Sequence, residues 1–81
     1  MKDVLVLLNE VDKIKKFTDT VSRFPEDIDI IHGRYVIDAK SIMGIFTLDT
    51  SKPVIVRVHS DNDEVVDNII KNIKALGIVV D

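Results

Sequence analysis

The segment around Ser41 holds a hydroxyl that could accept a phosphoryl group. Ser41 follows Lys40 and precedes Ile42-Met43-Gly44, and the run continues to Phe46. Serine is a favoured N-cap because its side-chain oxygen accepts a hydrogen bond from an N–H of the first helical turn, so this spacing predicts a short helix that begins here. Added phosphate would be compatible with that helix, since negative charge is stabilised near a helix N-terminus. Ser41 is therefore a candidate for phosphorylation, and a purely structural N-cap is the alternative.

Three large apolar side chains follow this serine at positions 42, 43 and 46. On a helix of four to six residues not all of them can be buried, so we expect at least Met43 to be exposed. Flexible thioether side chains adapt well to partner surfaces. Ile42, Met43 and Phe46 are thus candidates for a protein-binding patch, although Ile42 and Phe46 fit equally well as core residues.

Other chemistry has little support in this chain. There is no cysteine, and the two histidines, His32 and His59, have no third ligand at a metal-binding spacing. We therefore expect no metal site, no cofactor and no enzymatic activity.

The composition bounds the class of protein. With 81 residues, 46% of them hydrophobic, and a net charge of -3, the sequence predicts one folded domain spanning residues 1–81. The weak net charge argues against a nucleic-acid binder. The apolar run at residues 4–8 is too short for a signal peptide or a membrane span, so we expect a cytoplasmic protein that does not enter the membrane.

Hydrophobic periodicity predicts the elements of the first half. Residues 4–8 favour a strand, and the next apolar residues recur every three or four positions until Pro25, which is typical of a helix. His32-Gly33 suits a two-residue hairpin turn between residues 27–31 and 34–37, which would place Ile30 opposite Tyr35. That pairing puts a set of side chains on one face: Ile28, Ile30, Tyr35 and Ile37.

The second half predicts three further elements. The short helix begins at Ser41, and Pro53 opens a strand in which three valines, at 54, 56 and 58, alternate with Ile55, Arg57 and His59. Asp61 and Glu64 resemble a capping box for a final helix that Gly77 ends. The order β-α-β-β-α-β-α predicts an α+β open-faced sandwich, with three helices covering a four-stranded sheet.

Several stretches of the chain, spaced in one register, resemble HPr, the small phosphocarrier of the bacterial sugar phosphotransferase system. They are Lys16-Phe17, His32-Gly33, the run from Lys40 to Leu48, and Pro53-Val54-Ile55-Val56. The resemblance implies an antiparallel sheet in the order 1-4-2-3 with all helices on one face. It also implies that Ser41 matches the target of HPr kinase, and that Ile42, Met43 and Phe46 match the patch that docks enzyme I, the kinase and regulatory partners.

The phosphohistidine motif of that family, Gly-hydrophobic-His-Ala-Arg-Pro, does not occur in this sequence. The family register places Glu10 at the histidine and Asp12 at the arginine. A carboxylate forms no phosphoramidate, and two of them repel an incoming phosphate. We therefore expect a non-catalytic binding or regulatory protein related to the phosphotransferase system. The alternatives are a phosphoryl-transfer participant modified at Ser41 and a structural homo-oligomerisation module.

The sheet face opposite the helices is expected to be unusually apolar. Strand alternation directs five aliphatic side chains outward: Leu5, Leu7, Ile31, Val36 and Ile55. The last residues, 78–81, add apolar surface that no predicted element covers. These features predict weak homodimerisation through the open face.

Overall fold

The computed structural model describes residues 1–80. Within that range the chain forms four strands and three helices in the predicted order. The strands are β1 (Lys2–Val6), β2 (Asp27–His32), β3 (Tyr35–Asp38) and β4 (Val54–His59). The helices are α1 (Val11–Val21), α2 (Ile42–Ile45) and α3 (Asp63–Lys74).

The four strands form one antiparallel sheet in the order β1-β4-β2-β3. The predicted fold class, the strand order and the cover of three helices are all confirmed. No helix of residues 1–80 has the length and apolar character needed to cross a membrane.

The core lies between the helices and one face of the sheet. Strand residues at every second position are buried there, together with residues three or four apart on the helices. The largest fully buried side chains include Phe17, Ile30, Ile45 and Ile69. Val11, the first apolar residue of the predicted helix, is 53% exposed. Helical side chains tilt toward the N-terminus, and Val11 begins α1, so no preceding turn lies beneath it.

The hairpin turn is Gly33-Arg34, so the predicted turn at His32-Gly33 is wrong by one residue. Gly33 has a φ of 60°, and His32 pairs with Tyr35. Ile30 therefore lies opposite Ile37 and not opposite Tyr35. Because this error moves the pairing partner by two residues, and side chains alternate with a period of two, the predicted face remains correct.

Two further boundaries differ from expectation. β1 covers Lys2–Val6, so the strand predicted at residues 4–8 begins and ends two residues too late. The N-cap of α3 is Asn62, not Asp61: its Oδ1 accepts hydrogen bonds from the N–H groups of Glu64 (3.1 Å) and Val65 (3.3 Å). The N–H of Asn62 donates to Ser60 Oγ, which positions Asn62 and not Asp61 at the helix start.

The segment after α3 lies along the outer edge of β1. The Leu7 N–H donates to the Ile78 carbonyl, the Val80 N–H donates to the Leu5 carbonyl, both at 2.9 Å, and Ile78 is buried. The expectation that nothing in the fold covers this segment is therefore wrong for Ile78, which enters the core, and for Val79, which packs against it. Val80 is partly buried beside Leu5, and Asp81 lies outside the described residues. The backbone groups of an edge strand favour added pairing, which is why the tail lies there.

Candidate functional site

The start of α1 carries carboxylates. Glu10 is the N-cap, with extended backbone, but its side chain makes no capping hydrogen bond. Its Oε2 lies 3.6 Å from Lys13 Nζ, which also donates to Asn9 Oδ1 at 3.0 Å. Asp12 is exposed in the first turn. Two acidic side chains thus lie where the positive end of the helix dipole would otherwise attract an anion.

Neither histidine lies at this helix start. His32 ends β2, whereas His59 ends β4, where its Nε2 lies 2.8 Å from Asp29 Oδ2. Both histidines lie at strand ends. Neither imidazole is therefore next to the backbone N–H groups of a helix start, which could hold a phosphoryl group. Within residues 1–80 no group of three acidic, histidine or cysteine side chains is placed to bind a metal ion.

Ser41 lies at the N-cap of α2, as its position in the sequence predicts. Its Oγ accepts a hydrogen bond from the Gly44 N–H at 3.2 Å, and its carbonyl accepts one from the Ile45 N–H at 3.1 Å. The side chain is half-buried. The hydroxyl therefore stabilises the first turn of a helix that is only four residues long.

Lys40 fixes the position of this serine, a role that sequence reasoning missed. Its Nζ donates to the carbonyl oxygens of Phe24 (2.6 Å) and Glu26 (2.8 Å), in the connection between α1 and β2. Its backbone N–H donates to Asp38 Oδ1 at 2.9 Å. The ammonium next to Ser41 is thus already bound by backbone carbonyls. No local pattern reveals this, because the partners lie 14 and 16 residues earlier in the chain.

Gly44 allows α2 to approach β3 closely. A Cβ atom at this position would lie 2.7 Å from Ile37 Cγ2 and 3.2 Å from Ser41 Oγ. The first of these distances is well inside van der Waals contact. The absence of a side chain at residue 44 therefore determines how closely Ser41 and its neighbours pack against the sheet.

The three candidate patch residues divide between the core and the surface. Ile42 is half-buried and packs against the core, whereas Met43 is 76% and Phe46 48% exposed. Ile45, between them, is fully buried. The exposed pair, which we call the α2 patch, gives this short helix an apolar outer surface formed by Met43 and Phe46.

Comparison with known proteins identifies the family. The family model described as the PTS HPr component phosphorylation site matches residues 12–76. HPr-C-His from Thermoanaerobacter tengcongensis is 26% identical over 94% of each chain, with a TM-score of 0.72. The phosphocarrier protein HPr from Bacillus anthracis str. Ames is 28% identical, over 88% of this chain and 92% of that one, with a TM-score of 0.65.

A histidine-containing phosphocarrier protein of a mycoplasma shares the fold, with 20% identity over 93% of this chain and 88% of that one and a TM-score of 0.70. No curated protein matches the chain. The segment matched by the family model begins after Glu10, so it does not include that position. Because the match spans most of the chain and the strand order agrees, the chain belongs to the HPr phosphocarrier family of the phosphotransferase system.

Proposed function

We propose that this HPr-family chain is a cytoplasmic binding or regulatory protein of the phosphotransferase system and does not carry phosphohistidine. The observation that supports this is the start of α1, where Glu10 is the N-cap and Asp12 lies in the first turn. A phosphohistidine carrier needs an imidazole nitrogen there, together with a cation that holds the phosphoryl charge. Both positions carry negative side chains instead, which disfavour the approach of a phosphorylated donor.

The α2 patch supports a role in protein binding. Met43 on α2 and Phe46 at its C-cap are exposed, whereas Ile42 is half-buried and Ile45 fully buried. Exposed aromatic and thioether side chains are enriched where proteins bind each other. The partner proposed for this surface is another protein component of the phosphotransferase system, or HPr kinase.

Incubation with phosphoenolpyruvate and enzyme I, followed by intact-mass measurement, tests the proposal. We expect no phosphorylated species, while a histidine-containing HPr in the same reaction is modified. The variant carrying Glu10→His and Asp12→Arg should gain an acid-labile phosphate if these two positions are what the carrier function lacks. A stoichiometric phosphohistidine at His32 or His59 of the unmodified chain would contradict the proposal.

Modification of Ser41 by a kinase is the second candidate function. It is favoured by the N-cap geometry, since the Oγ already faces an N–H of the first turn and a phosphate there would accept from the same group. Lys40 is bound to backbone carbonyls, so the phosphate would add negative charge to the α2 patch without a neighbouring lysine to neutralise it.

Incubation with HPr kinase and ATP tests this second candidate. The expected product is a single, acid-stable phosphate that is absent from Ser41→Ala. Ser51 lies in an exposed turn and is a matched control, since Ser51→Ala should be modified as the unmodified chain is. Phosphate that persists in Ser41→Ala would assign the modification to another hydroxyl.

A further inference from the structure

The sheet face opposite the helices carries a continuous row of aliphatic side chains. Direct cross-strand partners form it on all four strands: Leu5, Ile55, Ile31 and Val36. Val80 extends the row beyond Leu5. Val79 forms an antiparallel bridge with Val6, and the Val80 N–H donates to the Leu5 carbonyl, so Val80 lies opposite Leu5. We call these five residues the apolar row. Val36, on the edge strand β3, is 63% exposed, and the others are partly buried.

Opposite charges lie two residues to either side of Val36. Arg34 precedes it in the hairpin turn, and Asp38 ends β3. Asp38 accepts a hydrogen bond from the Lys40 backbone N–H, but neither Arg34 nor Asp38 takes part in an ion pair within residues 1–80. Each therefore has its charge available to a partner.

Most of the other titratable side chains on this face are hydrogen bonded to one another, and the exception is the exposed Asp27 at the start of β2. Arg57 Nε lies 2.7 Å from Asp3 Oδ1, and one of its terminal nitrogens lies 2.8 Å from Asp3 Oδ2. These hydrogen bonds lower the pKa of Asp3 and raise that of Arg57. Asp29 is hydrogen bonded to His59. Arg34 in the hairpin turn and Asp38 on β3 are thus the oppositely charged groups beside Val36 that a second molecule can engage.

We infer that this face binds a second copy of the chain about a two-fold axis that runs along the apolar row. Because the axis lies along the row, each residue of the row faces the same residue of the second copy. The strands of the second copy run in the opposite direction. Val36 then packs against Val36 of the partner subunit. Asp38 lies across from the partner's Arg34, and Arg34 from the partner's Asp38. The interface is isologous, with an apolar centre and two symmetric ion pairs at its rim.

The other in-plane two-fold axis, parallel to the strands, is less favourable. It would reverse the row and place Asp38 against Asp3 of the partner subunit and Arg57 against the partner's Asp29, each twice in a dimer, because these residues lie side by side across the sheet in the order Asp3, Arg57, Asp29 and Asp38. In that arrangement Asp38 meets a carboxylate that Arg57 already binds and gains no partner of opposite charge, so the first arrangement is more favourable for Asp38.

The size of the face limits the affinity. Four strands spaced about 4.8 Å apart and at most six residues long cover no more than roughly 400 Å². Stable interfaces bury about 800 Å² on each partner, so this dimer is expected to be weak, with a dissociation constant in the micromolar range or above. The rim ion pairs then determine orientation more than affinity.

Mixing two charge-reversed chains tests the axis. In Arg34→Asp alone and in Asp38→Arg alone, each homodimer would bring like charges together twice, so both should self-associate at least several-fold more weakly than the unmodified chain in sedimentation equilibrium. An equimolar mixture of the two restores both ion pairs and should associate as the unmodified chain does. Association in the mixture should weaken as salt is raised.

Controls separate this interface from effects on folding. Asp38→Asn keeps an oxygen for the Lys40 N–H and removes only the charge, so it should fold and associate more weakly than the unmodified chain. It replaces Asp38→Arg in the single-variant test if that variant does not fold. Lys16→Asp changes an exposed charge on α1 and should leave self-association unaltered. An unmodified chain that is monomeric at millimolar concentration, or a mixture that associates no better than its two components, would overturn the inference.

A cysteine at the two-fold axis gives a second readout. The chain has no cysteine of its own, so Val36→Cys introduces a single thiol. Under mild oxidation it should form disulfide-linked dimers faster than Val11→Cys, whose side chain is exposed on α1. Equal rates for the two variants would contradict the contact between the two Val36 side chains.

Discussion

The structure around α2 depends on a few side chains and on one missing side chain. Ser41 Oγ holds the first turn, Lys40 Nζ binds the α1 to β2 connection, and Gly44 lets the helix approach Ile37. The exposed Met43 and Phe46 are presented by this arrangement. Changes at these residues are therefore expected to affect stability and the exposure of the α2 patch together.

Replacing Ser41 with alanine should lower the free energy of unfolding by about 1 kcal/mol, because the Gly44 N–H loses its acceptor. Ser41→Asp should lie close to the unmodified chain, since a carboxylate oxygen can accept the same hydrogen bond. Urea denaturation of the three proteins measures this. Equal stability of Ser41→Ala and the unmodified chain, with Ser41→Asp strongly destabilised, would disagree with the cap.

Replacing Gly44 with alanine should destabilise the fold by about 1–3 kcal/mol through overpacking, despite the better helix propensity of alanine. The added methyl would lie 2.7 Å from Ile37 Cγ2. Ile37→Leu moves the branch away from this contact, so combining it with Gly44→Ala should cost less than the sum of the two single changes. Additive changes in thermal denaturation would show that the contact is relieved by other means.

At the scale of elements, the two long helices differ in how they begin. α3 is capped by Asn62, has Asp63 and Glu64 in its first turn, and has Lys71 and Lys74 in its last, so its charges complement the helix dipole. α1 begins at Glu10 without a side-chain capping bond and has no basic residue in its last turn. Its stability depends chiefly on packing of its buried face, which leaves its exposed start free to vary in chemistry.

The cap of α3 gives a prediction that distinguishes two adjacent residues. Asn62→Ala should cost about 1 kcal/mol, because it removes the acceptor of two backbone N–H groups. Asp61→Ala, at the neighbouring exposed position, should change stability by less than about 0.5 kcal/mol. Chemical denaturation of the pair provides the measurement. A larger loss for Asp61→Ala would restore Asp61 as the cap.

At the scale of the whole molecule, the segment of residues 78–80 protects one edge of the sheet. It pairs with β1, and Ile78 enters the core. The other edge strand, β3, has the exposed Val36, and the charges on either side of it take part in no ion pair within residues 1–80. The molecule is therefore asymmetric, with one covered edge and one edge available to a partner.

Replacing Ile78 with alanine should destabilise the protein by roughly 2–4 kcal/mol, as expected for a buried aliphatic residue. Val80→Ala should cost less than about 1 kcal/mol, because its side chain is only partly buried. Both are measured by urea denaturation at low protein concentration, so that self-association does not contribute. Faster exchange of the Leu7 amide in Ile78→Ala would show that the pairing with β1 has loosened. Similar, small losses for both variants would mean that the tail contributes little.

Local patterns in the sequence were enough to predict the order of the elements, the inward face of each strand and the Ser41 cap. These features depend on residues close together in the chain: a side-chain period of two or 3.6, a proline, or a serine before an apolar run. Because strand side chains alternate with a period of two, the error in the hairpin turn still left the predicted inward face correct.

The tertiary structure decided what depends on distant residues. It placed residues 78–80 along β1, bound Lys40 to carbonyls of the α1 to β2 connection, and aligned the apolar row from strands far apart in the chain. It also decided that Ile42 packs against the core while Met43 and Phe46 are exposed. Burial depends on which elements pack around a helix and not on the helix alone. The lack of an imidazole at Glu10 and Asp12, in contrast, was determined by the sequence alone, since no fold changes the chemical groups of these two side chains.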